Sequence, residues 1–179
     1  LYTAANTDWV IEDDIAFNPD GSRLLFSERQ VSTGFIYLKV FDLNLNTVIN
    51  SINMSQFKFI KELDWGRTAG TNTVAIITVP RCDNTNIGSQ GINQLYTLDV
   101  SSATPSLTWR KDDLGNTISW SPDDSKINVA PYTSASYCNP TTGCCNREYN
   151  QSFRILTLST GVFSTWFSNT QIIHPDWKR

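Results

Sequence analysis

The chain has 179 residues, of which 40% are hydrophobic, 12% aromatic and 17% charged. Its 14 basic and 17 acidic residues are scattered and give a formal charge of -3, so the clustered positive charge that neutralises phosphates is missing and nucleic acid is excluded as an expected partner. No run approaches the roughly 20 apolar residues that cross a bilayer, and no signal-peptide pattern is present, although the chain begins at Leu1 rather than Met, as a processed or partial chain does.

Asn, Ser and Thr crowd the segments between short apolar runs, and no helical period is sustained, which predicts an all-β protein. Residues 15–27, IAFNPDGSRLLFS, are two apolar runs joined by Asn-Pro-Asp-Gly. Pro19 presets φ for the second position of a tight turn, Asp20 suits the third, and Gly21 accepts the positive φ that returns the chain into a strand. An antiparallel hairpin is therefore predicted. Residues 35–48, FIYLKVFDLNLNTV, predict a second pair of strands around a polar turn. The order then recurs. LDWGRTAGTNTVAIIT (63–78) keeps an aromatic anchor at Trp65 but turns through Gly66 and Gly70, and NQLYTLDVSSATPSLTW (93–109) follows it. ISWSPDDSKINVA (118–130) restores the Ser-Pro-Asp turn, FRILTLSTGVFSTWF (153–167) follows, and IIHPDWKR (172–179) opens one more copy.

Phe17, Trp65, Trp120 and Trp177 stand at equivalent points, at intervals of roughly 48, 55 and 57 residues. Four strands per repeat make a propeller blade. The predicted architecture is a partial β-propeller: three four-stranded antiparallel blades at about 9–56, 57–113 and 114–169, with the first strand of a fourth at 170–179. Phe17 and the three tryptophans are expected to pack between blades.

The NPDGSRLLFS and SPDDSKINV hairpins, followed by second pairs such as ILTLSTG, resemble the WD40-like (PD40) blades of TolB-type propellers. Those blades occur in bacterial periplasmic proteins and in the propeller domains of prolyl-oligopeptidase-like peptidases. The resemblance runs from about Trp9 to Trp177 and implies a propeller located outside the cell or in the periplasm. Three positions depart from it: the second repeat lacks the Pro-Asp turn, Asp124 stands where a turn Gly is usual, and Thr157 replaces Asp42 and Asp99 of the earlier repeats. Closed propellers need at least four blades, and an open stack leaves two edges unpaired. A piece of a longer propeller, a half-propeller closing on another copy, and an open stack joined into a filament all meet this constraint. The ending just as a blade begins favours the first.

Cys82 lies after the second hairpin, and Cys138, Cys144 and Cys145 lie in the corresponding segment of the third. These connections emerge on one face of a propeller, so the four cysteines are expected on adjacent loops and in disulfides, as an even count and export suggest. Three pairings are open. Strain in a Cys144–Cys145 bond favours Cys82 with one of that pair and Cys138 with the other. A zinc site is the rival reading, but the spacing is not C-x2-C, and no metal or cofactor is expected.

There is no G-x-S-x-G nucleophile motif, and the one histidine, His174, precedes Pro175 at a strand start. Asp13-Asp14 and Asp112-Asp113 lack the spacing of a calcium loop. The chain is accordingly expected to be non-enzymatic. Its candidate binding face is built from the loops at 28–34, 79–93 and 131–150, with Arg81, Tyr132, Tyr137, Arg147 and Tyr149. Trp9, Trp109 and Trp166 fall outside the repeat register, and any that is exposed is the better ligand candidate. Asn53 and Asn150 begin N-x-[ST] triplets and are candidate glycan acceptors. The function expected is an exported module for binding a protein partner or further copies of itself. The alternatives are the accessory propeller of a larger hydrolase and a subunit of an extracellular filament.

Overall fold

The computed structural model describes residues 7–80, 93–102, 104–112, 117–129, 137–138, 145–146 and 152–168. All of its regular structure is strand. The first blade is the sheet β1(Trp9–Phe17), β2(Arg23–Gln30), β3(Ile36–Asp42) and β4(Thr47–Asn53), in that spatial order. The second is β5(Phe57–Trp65), β6(Thr73–Pro80), β7(Gln94–Asp99) and β8(Thr108–Asp112). In the third, β9(Ile118–Trp120) and β10(Lys126–Val129) are followed by a two-stranded ribbon, β11(Tyr137–Cys138) and β12(Cys145–Asn146), before β13(Ser152–Thr157) and β14(Val162–Ser168) complete the sheet. Every neighbouring pair is antiparallel, which is the expected all-β partial propeller.

The opening turn is repeated bond for bond. In the first blade Arg23 N–H donates to the Asn18 side chain at 2.8 Å, Ser22 N–H to Asp20 at 2.8 Å, and Gly21 N–H to the Asn18 carbonyl at 3.0 Å. In the third, Lys126 N–H donates to Ser121 Oγ at 3.0 Å, Ser125 N–H to Asp123 at 3.1 Å, and Asp124 N–H to the Ser121 carbonyl at 3.0 Å. Gly21 has φ +72° and Asp124 has φ +55°, so the aspartate holds the left-handed position that glycine fills at least cost. Hydrogen bonds from Ser121 and Ser125 hold the Asp123 carboxyl down at about 2.

Pairing registers make Phe17, Trp65 and Trp120 equivalent, opposite Leu24, Val74 and Ile127. The strand period of two divides each sheet into two faces. Ala16, Leu25, Leu38, Val40 and Ile52 of the first blade pack against Leu63, Trp65, Val74, Ile76 and Leu98 of the second. Ala75, Ile77 and Leu95, on the opposite face of the second blade, pack against Ile118, Trp120, Ile127, Val129 and Leu156 of the third. The middle blade is thus covered on both faces, and this is why β6 holds four consecutive apolar residues, Val74, Ala75, Ile76 and Ile77.

Trp65 and Trp120 are 0% and 1% exposed, as their expected place between blades requires. Phe17 corrects the expectation at 52% exposed. Each large ring faces the preceding blade, and among the described residues nothing occupies that place before the first blade.

Candidate functional site

Short β-bulges interrupt both β1 and β5 next to their acidic residues, with register shifts between Ile11 and Ile15 and between Ile60 and Glu62. A bulge re-aims the side chains around it, and here the carboxylates reach the next blade. Asp14 accepts the backbone N–H of Leu63, and Glu62, its equivalent one blade on, accepts that of Ile118. Leu63 and Ile118 are themselves equivalent positions, so the same latch is built twice. Asp64 adds a further bond to the second joint, accepting Trp120 N–H at 2.8 Å, while the Trp120 indole N–H donates to the Asp64 carbonyl at 3.0 Å.

Burial raises the Asp14 carboxyl to about 6, against the bonds from Leu63 and Ile15. Burial first, then the charges of Asp14 and Asp64, push Glu62 up to about 8, opposed by the Ile118 bond. The three acids therefore share one electrostatic neighbourhood along the first strands. Their oxygens accept backbone amides, and no group of three or more potential metal ligands occurs among the described residues.

At the far end of these strands a cavity of about 610 Å³ opens between the blades, within the range of small-ligand sites. Phe17 and Pro19 line it from the first blade, Asp64 and Arg67 from the second, and Trp120 and Pro122 from the third. Arg67 pairs with Asp64 at 3.1 Å, leaving its guanidinium partly open to solvent. The rim is fixed by Asp124, which accepts the N–H groups of Arg67 and Thr68 from across the joint. Gly66 sits beneath this carboxylate, where a Cβ would come within 2.9 Å of Asp124 Oδ2.

Arg81, Cys82, Tyr132, Cys144, Arg147, Tyr149, Asn150, Asp113, His174 and Trp177 lie outside the described residues. Tyr137, Cys138 and Cys145 are placed by their backbone on the ribbon of β11 and β12, with Cys138 directly opposite Cys145. Asn53 ends β4 on the surface, where its side-chain oxygen accepts Ser55 N–H at 2.9 Å. Of the off-register tryptophans, Trp109 is 53% exposed, whereas Trp9 packs against Tyr37 with ring centroids 5.6 Å apart. The residues that sequence reasoning missed are Glu62 and Asp64. Their signal was present: an acidic residue one or three places before the anchoring tryptophan.

No protein-family profile matches the chain, and no curated protein matches it. Solved structures do. An oligogalacturonate lyase in complex with manganese superposes with a TM-score of 0.60 at 14% identity, over 95% of this chain and 45% of the lyase. The β-propeller domain of the Trilobed protease from Pyrococcus furiosus, described as having an open velcro topology, gives 0.52 at 16% identity over 86% of this chain and 42% of that domain. The Pyrococcus horikoshii acylaminoacyl peptidase gives 0.52 at 12% identity over 86% of this chain and 24% of that one. This chain spans less than half the length of each, and what it shares with them at these identities is the β-propeller fold.

Proposed function

We propose that this chain is a non-enzymatic, exported assembly module whose first blade offers its outer face to a blade carried by a second copy of the chain. One observation carries the reading: Ile15 and Phe17 are 50% and 52% exposed, whereas their equivalents Leu63 and Trp65 are 4% and 0% exposed against a neighbouring blade. The first blade thus repeats the side-chain pattern of a blade interface with no blade upon it among the described residues, and exposed apolar patches of this kind mark interaction sites. The carboxylates of the first strands serve the joints, in keeping with a scaffold. Sedimentation velocity over a range of concentrations tests this. Wild type is expected above monomer mass and Phe17→Asp at monomer mass with unchanged circular dichroism. A wild type that stays monomeric throughout overturns it.

A second reading makes the chain part of the accessory propeller of a larger hydrolase, of the prolyl-oligopeptidase-like or TolB-type kind, with the exposed face covered by further blades of the same protein. The likeness to peptidase propellers and the fraction of them that is spanned favour it. Extending the chain should then bury Phe17 in a monomer, and fluorescence quenching of a reporter at that position separates the two.

A further inference from the structure

The ribbon of β11 and β12 has only two residues in each strand, paired Tyr137 with Asn146 and Cys138 with Cys145. So short a ribbon has almost no ladder to set its register, and two-stranded ribbons are marginal in water. Two of the chain's four cysteines nonetheless meet at one rung. Residues directly opposite in an antiparallel pair have Cα atoms about 4.5 or about 5.5 Å apart, according to the kind of rung. A disulfide spans roughly 4.4 to 6.8 Å between Cα atoms, so either rung admits one. Cys144 and Cys145, by contrast, are joined by a peptide bond that holds their Cα atoms about 3.8 Å apart, short of that range.

We propose that Cys138 and Cys145 form a cross-strand disulfide that pins the register of this ribbon and closes residues 139–144 into a ring. Within the pairing expected from sequence, in which Cys138 joins one of the vicinal cysteines, the rung selects Cys145. The bond forms by thiol–disulfide exchange: the two sulfurs join, and their two electrons and two protons pass to an incoming disulfide oxidant, which leaves as two thiols. The consequence is a covalent tie between β11 and β12, in the stretch of sequence between the second and third strands of the third blade's sheet that also carries Tyr132, Tyr137, Arg147 and Tyr149. The bond requires neither self-assembly nor a partner, so it stands or falls apart from the function proposed above.

The test uses the full chain refolded in a buffer of oxidised and reduced glutathione, alkylated without reduction and digested with trypsin. Cleavage after Lys126 and Arg147 leaves Cys138, Cys144 and Cys145 on one peptide and Cys82 on another. In Cys144→Ser that peptide is expected unalkylated, two hydrogens lighter than its reduced form, and unlinked to the Cys82 peptide. In Cys145→Ser the intramolecular bond to Cys138 is expected to be lost, whereas Cys82→Ser should keep it. Alkylation of both Cys138 and Cys145, or a link from either to Cys82 in the Cys144→Ser protein, overturns the proposal. Should these variants fail to fold, fragmentation of the wild-type peptide after partial reduction reads the same pairing, and a Cys138–Cys144 bond there overturns it.

Discussion

Trp65 and Phe17 occupy the same place in successive blades, opposite equivalent partners and after equivalent strands, yet one is sealed and the other is half in water. The difference lies entirely in what stands before each blade. A blade makes its own ladder, but its large ring is written for the blade ahead of it, so the contribution of each anchor belongs to the joint. The same holds for the acids: Asp14 and Glu62 sit on one blade and satisfy the amide of the next.

The sharpest break of this comparison is a pair of truncations. Trp65→Ala should cost ~3–5 kcal/mol by removing a fully packed side chain, while Phe17→Ala in the monomeric chain should cost under ~1 kcal/mol, since exposed positions seldom cost more. Urea unfolding monitored by circular dichroism measures both, and equal losses would mean that Phe17 is covered after all. Next, Asp64→Ala should cost about 1–3 kcal/mol by leaving Trp120 N–H without its acceptor at the second joint. Gly66→Ala should cost about 1–3 kcal/mol through the clash with Asp124 and Thr71, and the double variant with Asp124→Gly should recover part of that loss. A simple sum of the two single effects would show that the close approach is not the cause.

A further expected effect is one of pH. Glu62 has its folded pKa raised from 4.5 to about 8, so between those values the folded chain keeps a proton that the unfolded chain has released. Stability should therefore fall as pH rises through that window, with Asp14 adding to the slope between about 4 and about 6. Glu62→Gln keeps an oxygen for the Ile118 amide and should flatten the dependence. Thermal melts at several pH values check it, and a Glu62→Gln curve as steep as wild type would remove Glu62 as the cause.

Strand order, turns and repeat register were legible because each rests on local chemistry: Pro-Asp-Gly turns, period-two apolar runs and an aromatic at a fixed place. The Pro-Asp motif predicted the hairpin, and the structure adds that its two copies make the same hydrogen bonds at Asn18 and Ser121. Phe17 was misjudged because its burial depends on a neighbouring blade and on nothing in its own strand. Glu62 and Asp64 were missed because a bulge decides where they reach, and a one-residue shift in pairing leaves no mark in composition. Asp124 read as a departure from the repeat. Its identity makes sense only across the joint, where it accepts two amides that a glycine could not bind.

That contact also gives the repeats an address. Because the Asp124 carboxylate fits over Gly66, whose missing Cβ makes the room, the third unit is cut to follow the second and would not seat equally well after the first, which has Asn18 at the corresponding point. Shuffled or duplicated versions of this chain should lose cooperativity wherever that match is broken, so what looks like interchangeable modularity is an ordered series.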